Sequence, residues 1–450
     1  MAERRLTLFE KFSYGMGDFA FSLPWNMAGA FLLFYYTDVA LLPAAAVGTL
    51  FLLARLLDAV VDVGVGVWVD RTRSRWGRTR PFFLLAGAPF ALLMVLTFAV
   101  PSGLGAQGRL VWAFVTFNLL GVLFSLGSVP LAALLPMMSA RTDERLQLAS
   151  WRAGMTALSV IVATAFAMPL IDVLGAALGG KGMGFAALAG LFGLLSLVFS
   201  LNLFRTCREV HYDAAPPAVA VLPAVGKMLR NRAWLVTFAV ASLNFLRFGA
   251  VLSATPFFAI EVLHAPWAIS VLLPSVSGTL LLGAVIAPPI LRRTGMRRGW
   301  LGAIGVALAI YAVLPALEGR PGLFVAGFVA ASLAISVTTT SIFTMAADCV
   351  DYHEQRFGLR GEGLLSSGIS LATKVGMALG TAGLAYTLAA AGYHPGAVSQ
   401  GARDAIAWSY YLWPAGVLLA QAGVILFWPM DGARRPAAPA RGENGAPQAA

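Results

Sequence analysis

The stretch LLDAVVDVGV (56–65) carries two aspartates, Asp58 and Asp62, in an otherwise apolar run. Being four residues apart, they share one face of a helix. Two carboxylates this close repel each other, and a proton, or a sodium ion with oxygen ligands, relieves that repulsion. Arg55 could instead brace Asp58, but a brace requires only one carboxylate. The pair therefore predicts a site for an exchangeable cation, H⁺ or Na⁺.

A lysine interrupts a second apolar stretch, SSGISLATKVGMALGTAG (366–383). Lys374 lies near one helical face with Ser370 and Thr373. Because a lysine inside a membrane helix pairs with a charge or lines a cavity, two roles stay open: a salt bridge between two parts of the molecule, or contact with a solute. A bridge that breaks when a cation binds would unite both roles.

Further polar residues that interrupt apolar stretches are candidates for cation binding, solute contact or coupling: Asp18, Ser125, Ser128, Arg152, Asn244 and Arg247. The hydroxyls and the arginines also have explanations that involve no binding site. Hydroxyls in membrane helices often bond to their own backbone. Arg152 could anchor a helix at the cytoplasmic surface, and Arg247 could extend its charged end to water.

The composition indicates where these residues lie. The chain has 450 residues, of which 59% are hydrophobic and 12% charged, against roughly 25% charged in soluble domains. An all-α, polytopic membrane protein is predicted, with no removable signal peptide at its start. The twelve predicted membrane spans are 12–36, 43–69, 82–101, 110–138, 149–173, 184–204, 233–262, 267–291, 299–317, 322–349, 363–390 and 405–429.

Basic residues concentrate in every second loop, for example DRTRSRWGRTR (70–80). The positive-inside rule therefore predicts that both termini are cytoplasmic, and the cytoplasmic (inner) membrane is the expected location. Orientation and contact with anionic lipid account for the net charge of +11, so no nucleic-acid partner is predicted. The four histidines lack metal-ligand spacing, and no ATP-binding GK[ST] motif occurs, so neither a cofactor nor enzymatic activity is expected.

The polar interval 205–232 predicts a cytoplasmic linker between two six-helix bundles, 1–204 and 233–430. A solute site is expected between them. The Pro/Ala/Gly-rich tail 431–450 predicts disorder. Because both repeats occur in one chain, a functional monomer is expected.

Several segments together carry a family resemblance: KFSYGMGDF (11–19), FYYTDV (34–39), RLLDAVVDVGVG (55–66), TRSRWGR (72–78), VPLAALLP (129–136), DERLQL (143–148) and AADCVDYHEQRFGLRGEG (346–363). In this order they resemble the glycoside–pentoside–hexuronide:cation symporters, the melibiose-permease family of the major facilitator superfamily. The resemblance implies two six-helix bundles that work by alternating access. It also implies a cation site at Asp58 and Asp62 with Ser125 nearby, and Lys374 and Arg152 at the cavity.

The resemblance further implies a cytoplasmic gate of charged residues from both bundles: Arg141, Arg145, Arg292, Arg293, Asp348, Asp351, Glu354 and Arg360. Exposed ion pairs contribute about 0–1 kcal/mol each, which suits a gate that must open.

Departures from the family pattern bear on substrate and ion. Ser22 stands where sugar-binding relatives have an aspartate, and Ser128 where they have a carboxylate or amide. Val61 replaces an amide between the two aspartates, which removes an oxygen ligand and favours a proton over sodium. The sequence thus predicts cation-coupled symport of a small polar solute, a sugar or glycoside. The alternatives are an amphiphilic cargo such as a lysolipid, or a non-transporting membrane sensor, with a membrane enzyme ranked last.

Overall fold

The computed structural model describes residues 5–139, 141–209, 226–357 and 362–430, and no strand occurs in these ranges. Its α-helices are α1 (Leu8–Phe34), α2 (Ala44–Arg71), α3 (Arg80–Thr97), α4 (Ala106–Met138), α5 (Thr142–Ala165), α6 (Ala167–Leu178), α7 (Lys181–Thr206), α8 (Arg232–Phe257), α9 (Ile269–Thr294), α10 (Met296–Val313), α11 (Pro321–Phe357), α12 (Glu362–Ala390) and α13 (Gln400–Ile425). We call α1–α7 the N-terminal half and α8–α13 the C-terminal half. The all-α prediction is confirmed. The predicted tail 431–450 and most of the predicted linker lie outside the described residues.

Nine of the described helices are long and apolar enough to cross a membrane. The remaining expected spans correspond to α1, α12 and α13, which have 27, 29 and 26 residues. At 1.5 Å per residue they measure about 40 Å, more than the roughly 30 Å of a hydrocarbon core. Candidate site residues interrupt the apolar sequence of α1 and α12, whereas α13 carries Gln400, Arg403 and Asp404 in its first turns.

The predicted span 149–173 is not one continuous helix. It divides at Phe166 into α5 and α6. Pro169 lies three residues beyond the break, and its ring nitrogen has no hydrogen to donate to the carbonyl of residue 165. The missing backbone bond accounts for the interruption, and α5 instead extends further toward its N-terminal end than predicted.

Within each half, many of the helices that pack together are far apart in the chain. In the N-terminal half α1 packs against α5 and α7, and α2 against α4; in the C-terminal half α8 packs against α12 and α13, and α9 against α11. Contacts between the halves join α2 to α12, α5 to α9 and α1 to α8. Helices α1, α2, α8 and α12 therefore meet at the boundary between the halves.

Two glycines on α12 bring it close to α8. A Cβ added to Gly376 would lie 2.2 Å from the Ser242 carbonyl oxygen, and one added to Gly380 would lie 2.0 Å from that of Leu246. Only glycine permits this backbone approach, as at other closely packed membrane helix pairs. Because Gly376 follows Lys374 by two residues, this packing fixes the lysine relative to α8.

The halves also meet where α1 ends and α2 begins. The Tyr393 hydroxyl donates to Asp38 Oδ1 at 2.7 Å, and the hydroxyls of Thr49 and Tyr386 lie 2.9 Å apart. Phe257 adds an edge-on ring contact to Tyr393 with centroids 5.5 Å apart. We call the region defined by Asp38, Thr49, Tyr386 and Tyr393 the closed end.

Candidate functional site

Asp62 connects three helices from both halves. Its Oδ1 accepts a hydrogen bond from the Ser125 hydroxyl of α4 at 2.5 Å, and its Oδ2 forms an ion pair with the Lys374 ammonium of α12. The side chains of Lys374 and Asp62 are 31% and 28% exposed, so the pair is half-buried. Ser125 therefore does not bond to its own helix, and of the two roles left open for Lys374 the structure contains the salt bridge.

Asp58 lies one turn earlier on α2 and is only 7% exposed. Its Oδ2 accepts from Arg55 Nη1 at 3.2 Å, and the Arg55 guanidinium lies 4.9 Å from the centre of the Trp25 ring. Gly121 on α4 makes room for this carboxylate, because a Cβ there would lie 2.5 Å from Asp58 Oδ1. Arg55 thus pairs with Asp58, as the brace interpretation predicts, while the second carboxylate, Asp62, pairs with Lys374.

A polar seam runs between α1 and α5. The Asp18 carboxylate accepts from Arg152 Nε at 2.8 Å, from the Thr156 hydroxyl at 2.5 Å and from the Ser22 hydroxyl at 3.2 Å. Asp18 is 6% exposed. Arg152 is therefore not a surface anchor but half of an ion pair inside the helical assembly. Asp18 lies one turn before Ser22 on the same helix, so this part of α1 does contain a carboxylate.

The seam continues with residues that sequence reasoning missed. Asn26 donates to the Ser159 hydroxyl at 3.1 Å. Trp25 stacks on Phe124 with ring centroids 4.4 Å apart. A signal for the seam was present, since Arg152, Thr156 and Ser159 recur at helical spacing and so do Asp18, Ser22 and Asn26. Neither set identifies its partner helix by spacing alone.

Asn244 and Arg247 lie inside α8 and are 0% and 5% exposed. The Thr339 hydroxyl of α11 donates to Asn244 Oδ1 at 3.0 Å, and Arg247 faces the Tyr311 hydroxyl of α10. Arg247 therefore does not extend to the surface, which excludes that explanation.

Other predicted residues lie apart from these groups. Ser128 is half-buried on α4, Ser370 is exposed, and Thr373 donates to the Ser370 carbonyl of its own helix at 2.8 Å. The predicted gate residues lie at helix ends away from the closed end. Arg141 pairs with Asp143 at 2.9 Å, and Arg145 Nε donates to the Ser139 carbonyl at 2.7 Å. Exposed members of the predicted gate are Arg292, Arg293, Asp351 and Glu354, while Asp348 is half-buried. Arg360 lies outside the described residues, and the gate stays a prediction.

Comparison with known proteins identifies the family. Residues 13–432 match the family described as MFS/sugar transport protein. The chain belongs to this family. The family resemblance predicted from the motifs is thereby confirmed, and so is the expectation of a multi-pass membrane transporter rather than an enzyme.

Two relatives and one solved structure illustrate how far the likeness to MFS/sugar transport proteins extends. The isoprimeverose transporter of Lactiplantibacillus pentosus is 31% identical over 428 residues, covering 94% of this chain and 88% of the relative. The inner membrane symporter YicJ of Escherichia coli (strain K12) is 28% identical over 395 residues, covering 87% and 85%. A crystal structure of a bacterial homologue of the human lysosomal transporter Spinster, inward-facing and unoccupied, matches with a TM-score of 0.70 at 14% identity over 94% of this chain and 97% of that one. At that identity the structural match establishes the fold only.

Proposed function

We propose that this protein is a secondary transporter in which a cation, H⁺ or Na⁺, drives symport of a small polar solute, a sugar or glycoside, by alternating access. The observation that carries the proposal is the position of Asp62. This carboxylate has a hydroxyl from its own half on one oxygen and an ammonium from the opposite half on the other. Names of relatives, an isoprimeverose transporter and a symporter, support the same function.

Coupling follows from competition for Asp62. A cation that binds the carboxylate replaces the positive charge of Lys374, and the ion pair between α2 and α12 weakens. The halves then lose one contact that favours the present arrangement. Coupling energies of 1–3 kcal/mol, or about 5–150-fold in affinity, are typical of linked sites, and breaking one half-buried ion pair lies within that range.

The ligands available favour a proton. Asp58 is already held by Arg55, and Val61 supplies no side-chain oxygen, so a sodium ion would find few ligands around Asp62 and Ser125. A proton needs a single carboxylate oxygen, whereas hard metal cations require several oxygens. Proton coupling fails as a proposal if a sodium gradient at fixed pH drives uptake and a pH gradient does not.

The solute site of this proposal includes the polar seam of α1 and α5 together with Trp25. Asp18, Arg152 and Asn26 offer hydrogen-bond donors and acceptors, and an indole ring offers an apolar face. This combination suits a sugar, which has both a hydroxyl rim and an apolar face.

An amphiphilic cargo such as a lysolipid is the second candidate, because the residues around a small cavity at the boundary between the halves are mainly apolar. This cavity beside Arg55 is lined mainly by apolar side chains, among them Trp25, Phe117, Leu252 and Met377. In this arrangement the cavity is far too small for a lysolipid, so such a cargo could enter only after the two halves separate. Thermal-shift measurements with sugars and with lysolipids separate the two cargoes.

The proposal also includes a bacterial inner-membrane location, both termini in the cytoplasm, contact with membrane lipid, a working monomer and division into bundles 1–204 and 233–430. Fusions of a reporter to the C-terminus test whether that terminus lies in the cytoplasm.

Uptake by purified protein in liposomes is the central experiment. A panel of radiolabelled sugars and glycosides is offered under an imposed pH gradient, an imposed sodium gradient, and neither. We expect accumulation that requires one of the gradients and is lost in Asp62→Asn. A non-transporting sensor would show no difference between Asp62→Asn and the unaltered protein in any of these assays.

A further inference from the structure

The first helices of the two halves end in the same backbone pattern. Each passes into one π-helical turn and then into a single left-handed residue, Leu41 at φ 53° or His264 at φ 51°. A proline follows two residues later in both segments, FYYTDVALLP (34–43) and FFAIEVLHAP (257–266). Because left-handed backbone is uncommon outside glycine, its recurrence marks equivalent turns. Asp38 and Glu261 occupy the same position in them.

The two equivalent carboxylates differ in their partners. Asp38 accepts from the Thr37 hydroxyl at 2.6 Å and from the Tyr393 hydroxyl at 2.7 Å. The side chain of Glu261 is half-buried, and among the residues that the structure describes it has neither a hydrogen bond nor an ion pair. The turn therefore does not account for a carboxylate at Glu261.

Glu261 lines a cavity between the ends of α8, α10 and α13. Its volume is about 470 Å³, within the roughly 300–1,000 Å³ of small-molecule sites. Arg403, in the first turn of α13, lines the same cavity, and its Nε is buried with no hydrogen-bond partner within the described ranges. A carboxylate and a guanidinium thus share one cavity, and neither forms an ion pair in the described part of the chain.

The remaining carboxylates of this cavity already have hydrogen bonds. Glu318 accepts from the Tyr411 hydroxyl at 2.7 Å, and Asp404 accepts from the Gln400 amide at 2.9 Å. Both still contribute negative charge, so three carboxylates face one guanidinium. A purely anionic ligand would be repelled, whereas a ligand that carries an anionic and a cationic group can satisfy Arg403 and the carboxylates together.

An apolar stripe leads away from the cavity along α13. Trp408 and Leu412 line the cavity and are 62% and 61% exposed, and Leu419 further along the helix is 60% exposed. Spacings of four and seven residues place the three on one face of the helix. Because α13 is long enough to cross a membrane, this face is suited to lipid chains, with Trp408 at the level of the headgroups.

We propose that this cavity binds a phosphoethanolamine group, the headgroup of a membrane phospholipid, with its phosphate at Arg403 and its ammonium at Glu261. Guanidinium geometry matches phosphate, and an ammonium supplies hydrogen-bond donors to carboxylates. The acyl chains lie along the stripe of Trp408, Leu412 and Leu419. This inference goes beyond the proposed transport function and rests on it only for the side of the membrane, the leaflet opposite the cytoplasm.

Native mass spectrometry of the purified full chain in detergent tests the site. The probes are phosphatidylethanolamine and phosphatidylglycerol with identical acyl chains, and glycerophosphoethanolamine as the free headgroup. Since one charge-assisted hydrogen bond changes affinity by about tenfold or more, phosphatidylethanolamine should bind at least tenfold more tightly than phosphatidylglycerol. Equal binding of the two lipids would overturn the proposal. Displacement of the lipid by an equal concentration of glycerophosphoethanolamine would overturn its lipid source.

Two variants assign the charges. Glu261→Gln should weaken phosphatidylethanolamine about tenfold and leave phosphatidylglycerol unchanged, because the carboxylate contacts the ammonium alone. Arg403→Gln should weaken both lipids, and Arg403→Lys should retain part of the affinity. The matched controls are Asp172→Asn and Arg320→Gln, which replace exposed charges outside the cavity and should change neither affinity. Binding by Glu261→Gln and Arg403→Gln that equals binding by the controls would refute the assignment.

Stability and transport separate this site from other roles. Because neither Glu261 nor Arg403 has a side-chain partner within the described ranges, both Gln variants should melt with the controls in lipid-free detergent. A lower melting temperature with equal loss of both lipids would indicate a structural role and overturn the site. Selective lipid binding by a protein that transports no solute would support the site and refute symport, whereas gradient-driven uptake without lipid selectivity would do the reverse.

Discussion

The ion pair between Asp62 and Lys374 allows the structural and the coupling roles of these residues to be separated. In Asp62→Asn the ammonium loses its partner, and in Lys374→Gln the carboxylate does. The two side chains are 28% and 31% exposed, which lies between the surface case of about 0–1 kcal/mol and the fully buried case of 3–5 kcal/mol. Each single variant should therefore lose about 2 kcal/mol of unfolding free energy, an estimate placed midway between these limits.

The double variant Asp62→Asn, Lys374→Gln removes both charges and should recover most of that loss. The expected coupling energy is about 2 kcal/mol, within the 0.5–3 kcal/mol of contacting residues. Denaturant titration in detergent micelles, followed by fluorescence of the 11 tryptophans, measures it. Accumulation of solute should stay absent in the double variant, because the carboxylate that would bind the cation is gone.

Asp58 provides the matched control, since it lies on the same helix one turn away and pairs with Arg55 at 3.2 Å. The cycle between Asp58→Asn and Lys374→Gln should give a coupling energy below about 1 kcal/mol, as for residues that are not direct partners. A larger coupling to Asp58 than to Asp62, or additive losses at Asp62, would refute the assignment of the bridge.

Three further predictions concern the neighbouring contacts. Asp58→Asn should abolish accumulation against a gradient while exchange of solute persists, and full accumulation by this variant in liposomes would remove Asp58 from the cation site. Gly121→Ala should displace the Asp58 carboxylate by about 0.9 Å to restore ordinary contact and should reduce gradient-driven uptake at least fivefold. The control is Gly64→Ala on α2, where an added Cβ meets nothing within 4 Å, and it should leave uptake unchanged. Equal uptake by the two variants would contradict this prediction. Tyr393→Phe removes the donor to Asp38 at the closed end and should accelerate thiol labelling of an introduced Ala389→Cys. Background labelling is low, because Cys207 and Cys349 are buried. Tyr411→Phe, which loses a 2.7 Å bond to Glu318 inside one half, is the control and should not change the labelling rate.

Helix positions could be predicted from the sequence because hydrocarbon imposes a length on apolar segments. The predicted face of α2 was also informative, since four-residue spacing places Asp58 and Asp62 together whatever surrounds them. The break at Phe166 was not predicted, although Pro169 is visible in the sequence, because proline is common inside membrane helices and interrupts only some of them.

Partner identity could not be predicted from spacing. Arg55 reaches Asp58 within one helix, and this contact was predictable, whereas Lys374 reaches Asp62 from more than three hundred residues away. The match between Asp18 and Arg152 depends in the same way on how α1 packs against α5. Long-range pairing is decided by helix packing, and small residues such as Gly121 and Gly376 influence that packing without any charge of their own.

The glycine contacts between α12 and α8 have a mechanical consequence. Leu246, whose carbonyl oxygen Gly380 approaches, precedes Arg247 directly in the chain, and Gly376 follows Lys374 by two residues. With no side chain between the two backbones at these points, a displacement of α12 would press directly on the backbone of α8. A movement of α12 when Lys374 is released from Asp62 would therefore reach the α8 backbone next to Arg247 without passing through any intervening side chain.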